Sequence, residues 1–413
     1  MANTDVLVLG AGIVGVSAAI HLQRRGRQVV LLDRRGAGEE TSYGNAGLIE
    51  RASVFPYGFP RALGTLLRYA GNGATDAHYH LSALPQVLPW LVRYAMNSSP
   101  EAIARTAAAA WPLIQRCLVE HEALMAEAGA APLLRKVGWI KAFRTAESLA
   151  KGLVEREKLR PYGLTVDVLD GAGLAEQEPF LAEGLAGGLH FRDPAAVSDP
   201  GALVQAYAAL LVRLGGRFVR GDALSLNQDA AGWRVATEGS AIVAREVVVA
   251  LGPWSNSLTD RFGYPVPLGV KRGYHQHFRA RGNAVLNRPV LDVDGGYLLA
   301  PMAQGIRLTT GAEFARRDAP PTPVQVARAL PKARRLFPLG DAVEARPWMG
   351  SRPCLPDMLP VIDKGARHKG LWFDFGHQHH GLTLGPVTGR LLAEMMTGEP
   401  TFTDPTPYRI DRF

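Results

Sequence analysis

Apolar residues open this chain in unbroken runs rather than in alternation. DVLVLG (Asp5 to Gly10) and QVVLLD (Gln28 to Asp33) are such runs, and between them Ile13 to Arg25 carries apolar positions at helical spacing, with Gly26 as a stop. Continuous apolar strands belong to a parallel sheet covered on both faces, so a buried strand–helix–strand unit is predicted at the N-terminus. From Phe55 to about Ala131 the period turns helical, with apolar faces on Leu84 to Met96 and on Ala107 to Gly129. Those helices are predicted in a different layer from the first sheet. Residues 200–215 predict another helix. RFVRG, WRVATEG and AIVAREVVVAL then predict short strands that return to a sheet, and VVVALGPW (Val247 to Trp254) a buried strand entering a tight turn. Between 265 and 346, proline and glycine punctuate YHQHF, YLLAP and IRLTTGAEF, which reads as mixed β with one helix and implies a second domain. Leu371 to Gly398 returns to strand, Gly/His loop and helix, closed by Gly398.

Composition changes this picture little. With 413 residues, 47% of them hydrophobic and 20% charged, the chain has material for two cores. The net charge of +8 comes from scattered basic residues with no nucleic-acid-reading motif, so no nucleic-acid partner is expected. No uncharged apolar run reaches the roughly 18 residues of a membrane span, and no export signal opens the chain, so a cytoplasmic location is expected. Cys117 and Cys354 are too few for a disulfide framework and lack metal-ligand spacing, which predicts free thiols.

The first chemistry lies in Gly10-Ala11-Gly12-Ile13-Val14-Gly15, a G-x-G-x-x-G between strand and helix. Gly10 permits the turn, Gly12 admits a pyrophosphate to the backbone, Gly15 lets helix pack on strand, and the helix N-terminus offers partial positive charge. Asp33 ends the next strand where a ribose hydroxyl would lie. A dinucleotide is indicated, while NAD and FAD stay equally open, and Arg34 and Arg35 keep a 2′-phosphate in play. Thr41, Ser42, Asn45, Ala46 and Gly47 follow as a dense group of small and polar residues able to meet a second phosphate or a ring edge.

ETSYGNAG, with GAGIVG and Asp33, resembles the FAD-binding start of the D-amino acid oxidase superfamily, in particular its bacterial D-amino acid dehydrogenase branch. PLGVKRGY, RLTTGAEF, SRPCLPDMLPVI and FGHQHHGLTLGPVTGRLLAEMMTG match further family stretches in order, whereas residues 55–190 match only in character. The resemblance implies an α/β fold: a doubly wound FAD-binding domain of Rossmann type from residues 1–84, 192–264 and 347–413, and an α+β substrate domain with a mainly antiparallel sheet from 85–191 and 265–346. It implies noncovalent FAD, because Cys354 is offset from the attachment position of related oxidases. It extends the cofactor contacts from Gly10, Gly12, Ile13, Val14, Gly15, Asp33 and Arg34 through the 41–47 loop to Leu48. Ala223, Gly252, Trp254, Gly350, His380, Gly381, Leu382 and Thr383 complete the set.

Arg352 is the candidate for a substrate carboxylate, since a guanidinium presents a two-pronged fork. Tyr274 is expected to add a hydroxyl and His380 to face the flavin. The other histidines, His275, His277, His377 and His379, lack metal-ligand spacing, and no metal is expected. The activity implied is oxidation of a small D-amino acid, cyclic ones such as D-proline or hydroxy-D-proline included, by hydride transfer from the α-carbon to flavin N5, giving an imino acid. Electrons then pass to an acceptor, a quinone or other carrier or oxygen, with peripheral attachment to the inner face of the membrane as a variant. A sarcosine- or glycine-type amine oxidase shares every motif, and a flavin-holding structural subunit is the alternative from another class.

Overall fold

The computed structural model describes residues 2–413, with side chains from Thr4 onward. The predicted N-terminal unit forms as expected. Strand Ala2–Leu9 runs parallel to Val29–Asp33 on one side and Ile242–Val249 on the other, with helix Ile13–Arg24 between the first two. Arg217–Asp229 and Leu371–Phe375 extend the sheet in the same sense, and Val361–Lys364 closes one edge antiparallel. Helices Ile13–Arg24, Pro200–Arg213 and Gly381–Thr397 bury their apolar stripes on one face of this sheet, around Val6, Val8, Val29 and Leu31. The opposite face, with Leu7, Leu9, Val30 and Leu32, is covered by the antiparallel meander that carries Leu226, Trp233 and Val235. Both faces are dry, which is why these strands are apolar at every position.

The second sheet has eleven strands, mainly antiparallel. Its longest strand, Gly269–Ala280, is the spine on which Gly305–Thr310, Ala312–Phe314, Leu339–Ala342 and Trp348–Cys354 all pair. Helix Val324–Leu336 packs its Val326, Ala329 and Ala333 on one face.

Three segments fall on the other side of the expected domain boundaries. Trp348–Cys354, assigned to the dinucleotide domain, pairs residue for residue with Gly269–His275 in the second sheet. Ala77–Tyr79, also assigned to the dinucleotide domain, joins that sheet beside Ala312–Phe314. Ala107 to Gly129, assigned to the substrate domain, is divided between two helices, Pro100–Ile114 and Cys117–Ala128. Their Leu113, Ile114, Cys117, Leu124 and Met125 enter the core beneath the first sheet. In each case the ladder or the apolar stripe decides the neighbour, and neither is visible as a break in the sequence. Cys117 and Cys354 are buried free thiols, and no helix of the described residues is long and apolar enough to cross a membrane.

Candidate active site

A cavity of about 980 Å³ runs from the first glycine loop to the face of the second sheet. Its near end is built by the turn after Leu9. Gly10 has φ +106°, and a Cβ there would lie 2.4 Å from the Ala250 carbonyl oxygen. Gly12, in ordinary extended geometry, keeps its Cα bare toward the cavity, where an added Cβ would stand 3.3 Å from Ser42 Oγ. Ser42 Oγ accepts from the Ile13 N–H at 3.0 Å, so the 41–47 loop is tied to the helix N-terminus. Asp33 Oδ2 accepts from the Ala11 N–H at 2.7 Å and Oδ1 from the Arg35 N–H at 3.0 Å. That fixes the carboxylate at the cavity wall. The Arg34 guanidinium stacks over Trp254, 4.4 Å from its ring centroid, and pairs with Glu40 at 2.7 Å. The pair is solvent-exposed, and Arg34 also borders the cavity.

The structure brings Gly10, Gly12, Ile13, Val14, Asp33, Arg34, Thr41, Ser42, Asn45, Ala46 and Leu48 to this one cavity. From distant parts of the chain come Ala223, Gly252, Trp254, Gly350, Gly381 and Leu382. Gly15, Gly47 and Thr383 stand behind its wall rather than on it. A Cβ on Gly15 would meet the Gly10 carbonyl oxygen at 1.9 Å, and one on Gly47 (φ +72°) the Val197 carbonyl oxygen at 2.4 Å. Thr383 Oγ1 accepts from the Glu50 N–H at 3.0 Å and donates to the Leu48 carbonyl at 3.2 Å. A bare glycine cradle, a helix N-terminus and a held acid suit a dinucleotide, and helix Gly381–Thr397 points a second positive end at the same space.

At the far end stands Arg352, half-buried. Nη1 donates to the Gly311 carbonyl at 2.9 Å and Nη2 to the Thr310 carbonyl at 3.4 Å. Among the described residues no carboxylate lies within ion-pair distance of it. Burial lowers its pKa from the ordinary arginine value. Gly273, across the ladder, makes room for the guanidinium: a Cβ there would lie 2.5 Å from Nη2. An unpaired cation facing a cavity is a binding group for an anion.

Of the expected catalytic groups, Tyr274 lines the cavity but has its hydroxyl engaged, and His380 stands outside it. The Tyr274 hydroxyl donates to Glu313 Oε2 at 2.8 Å and accepts from Arg272 Nη2 and the Thr322 N–H, both at 2.8 Å, so it has no capacity left for a ligand. The strand alternates, and Arg272 and Tyr274 share the face away from Arg352; Arg272 is itself locked in a buried pair with Glu313 at 2.7 Å. His380 does not line the large cavity. Its Nε2 lies 2.9 Å from Ser53 Oγ and 3.5 Å from Glu50 in a small adjoining space.

Residues that were not singled out as site candidates also line the cavity. His379 lines it with Nε2 unpartnered, and burial, then the charges of His380, Arg352 and Lys271, hold its pKa well below the ordinary histidine value. The imidazole is therefore neutral at pH 7. Lys271 lies directly opposite Arg352 in the ladder. Trp348 slots its ring over Gly44 and Gly350. The only signal for His379 was its place in the same loop as His380. Of the remaining histidines, His275 stacks on Trp348 at 4.9 Å, and His377 faces Asp374 and Thr388. Among the described residues, ligand-type atoms come within 4.8 Å of one another in two groups, Glu50/His379/His380 and His78/His80/Glu313. In the second, Glu313 is already spent on Arg272.

The chain belongs to the DAO family of FAD-dependent oxidoreductases, whose family model matches residues 5–395. It is 30% identical to a D-amino-acid oxidase of Bradyrhizobium diazoefficiens, over 99% of this chain and 98% of that one. It is 31% identical to a D-amino acid dehydrogenase of Methylobacterium nodulans, over 95% of each. In fold it is similar to glycine oxidase from Geobacillus kaustophilus (TM-score 0.75, 24% identity, all of both chains). It is also similar in fold to L-amino acid deaminase from Proteus vulgaris (TM-score 0.75, 19% identity, 100% of this chain and 98% of the other). The chain is thus an FAD-dependent oxidoreductase.

Proposed function

We propose that this protein oxidises the carbon–nitrogen bond of a small D-amino acid, cyclic secondary amines of the D-proline type included. The observation that carries this reading is Arg352, an unpaired guanidinium at the far end of the cavity that begins at the dinucleotide cradle. The full-length relatives named for D-amino acid oxidation support it. FAD, held without a covalent bond by Gly10, Gly12, Asp33, the 41–47 loop and the Gly381 helix end, supplies a two-electron acceptor. Arg352 binds the carboxylate and fixes the α-carbon. His379, neutral and unpartnered, offers a hydrogen bond to the free substrate amine, the form that gives up its α-hydrogen with the bond electrons. Leu91 and the buried Tyr94 give the cavity an apolar wall. Peripheral membrane contact is supported by Leu63, Leu67 and Met96, exposed on two helices whose other faces line the cavity. Vesicle co-sedimentation tests that point.

The test of the activity is anaerobic bleaching of the purified flavoprotein with D-amino acids, glycine, sarcosine and D-proline. Peroxide yield on admitting air then distinguishes oxygen from a carrier as acceptor. Arg352→Ala should keep its flavin and lose substrate-driven bleaching, by about 3–5 kcal/mol in carboxylate recognition. Arg352→Lys should recover part, having the charge without the fork. Near-normal bleaching in Arg352→Ala would show that the carboxylate binds elsewhere.

A further inference from the structure

Lys271 has no assigned part in the reaction, yet its position is as constrained as that of Arg352. The antiparallel register sets Lys271 directly opposite Arg352, so both side chains rise from the same face of the sheet into the cavity. Opposite positions in such a ladder hold their Cβ atoms about 5 Å apart, and like charges there repel. Neither cation has a carboxylate within ion-pair distance among the described residues. Three rings close on the ammonium: Nζ lies 3.9 Å from the Tyr94 centroid, 5.2 Å from Trp90 and 6.0 Å from Phe314. They hold the charge and shed water from it, but none of them neutralises it. Burial lowers the lysine's pKa, Cys354 opposes that shift and Arg352 adds to it, and no carboxylate of the described residues stands between the two side chains.

Arg352, meanwhile, is not a free fork. Its N–H groups donate to three carbonyls, of Gly311, Thr310 and Arg272, which leaves a bound carboxylate with acceptor positions that the guanidinium does not reach. We propose that Lys271 is the second arm of the carboxylate clamp. One anion seated between the two cations relieves the repulsion of both, and the two strands grip it from opposite sides. The inference rests on the amino-acid reading above and adds a positioning residue to it.

The test uses the flavin-loaded enzyme with Lys271→Met, which keeps the length within the ring box and removes the charge. Benzoate binding, followed by the change in flavin absorbance, reads carboxylate affinity without turnover, and anaerobic reduction by D-alanine and D-proline reads substrate. Loss of one charged hydrogen bond predicts dissociation constants about 10- to 100-fold higher for benzoate and both amino acids. The limiting reduction rate should change much less, and Lys271→Arg should restore most of the affinity. Lys271→Gln serves if the methionine variant does not hold flavin. Unchanged benzoate and amino-acid affinity in these variants overturns the clamp, as does a loss confined to D-aspartate, which would make Lys271 a reader of side chains. Failure of the underlying reading looks different: Arg352→Ala would then bind benzoate as tightly as the parent.

Discussion

The residues of the site divide into those whose type alone carries the chemistry and those that depend on which way a backbone faces. Gly10, Gly12 and Asp33 were legible because the turn, the close approach and the capped acid are consequences of residue type at fixed spacing. Gly12 separates space from conformation: its φ of −74° suits any residue, so only the room above its Cα is at stake. Gly12→Val should therefore fold as apoprotein at a modest stability cost, because its Cβ presses on Ser42 Oγ and valine is a poor helix cap, while its FAD affinity drops at least about tenfold, read by flavin content after dialysis and by fluorescence titration. A variant that retained flavin normally would show that the cradle does not face the phosphates. The engaged hydroxyl of Tyr274 and the position of His380 outside the cavity were illegible for a common reason. Strand Gly269–Ala280 is buried along most of its length on both faces, so no polar alternation marks which of Lys271, Arg272 and Tyr274 looks into the cavity. The Gly/His loop places His379 and His380 next to each other, and their phase is set by Gln378, whose φ of +58° turns the backbone. Neither effect is written in residue type.

At the scale of elements, sequence reading identified strands and helices well and their partners less well. Helix Gly381–Thr397 was legible from its closing glycine, but its crossing with Ile13–Arg24 is a packing fact. Gly385 and Gly389 let the two backbones approach: a Cβ on Gly385 would come to 3.1 Å of Ile13, and one on Gly389 to 2.6 Å of the Ala18 nitrogen. That crossing aims both helix N-termini at the same cavity. Gly389→Ala gains roughly 1 kcal/mol of helix propensity yet must push two main chains apart, an overpacking cost of about 1–3 kcal/mol. A net loss of stability is expected in urea unfolding, together with weaker flavin retention, because the helix end moves. If the variant were more stable and held FAD as before, the close crossing would be dispensable. Trp348–Cys354 teaches the same lesson from the other direction: its seven-pair ladder with Gly269–His275 carries Arg352 into the second sheet, and a motif search cannot tell to which sheet a strand belongs.

Across the whole molecule the two sheets and their cavity follow from patterning, but the titration of the folded protein does not, because it depends on which acids the tertiary structure strands. Glu178, at the end of helix Gly171–Gln177, is 1% exposed. Burial pushes its carboxyl up to about 7, against the opposing pull of the Asn287 N–H at 2.9 Å and of Arg288 at 3.3 Å. A carboxyl whose folded pKa lies above its unfolded one favours folding when protonated. Its contribution is complete below pH 4.5, declines as pH rises toward about 7, and is gone above that. The span corresponds to about 3 kcal/mol at most. Glu178→Gln keeps the amide oxygen for Asn287 and cannot ionise, so its stability relative to the parent should rise between pH 5 and pH 8. Paired urea titrations at the two pH values measure that difference directly, free of the other groups that both proteins share. A difference that stayed flat, or fell, would mean that Arg288 holds Glu178 ionised throughout and that the buried pair is a net support of the second domain.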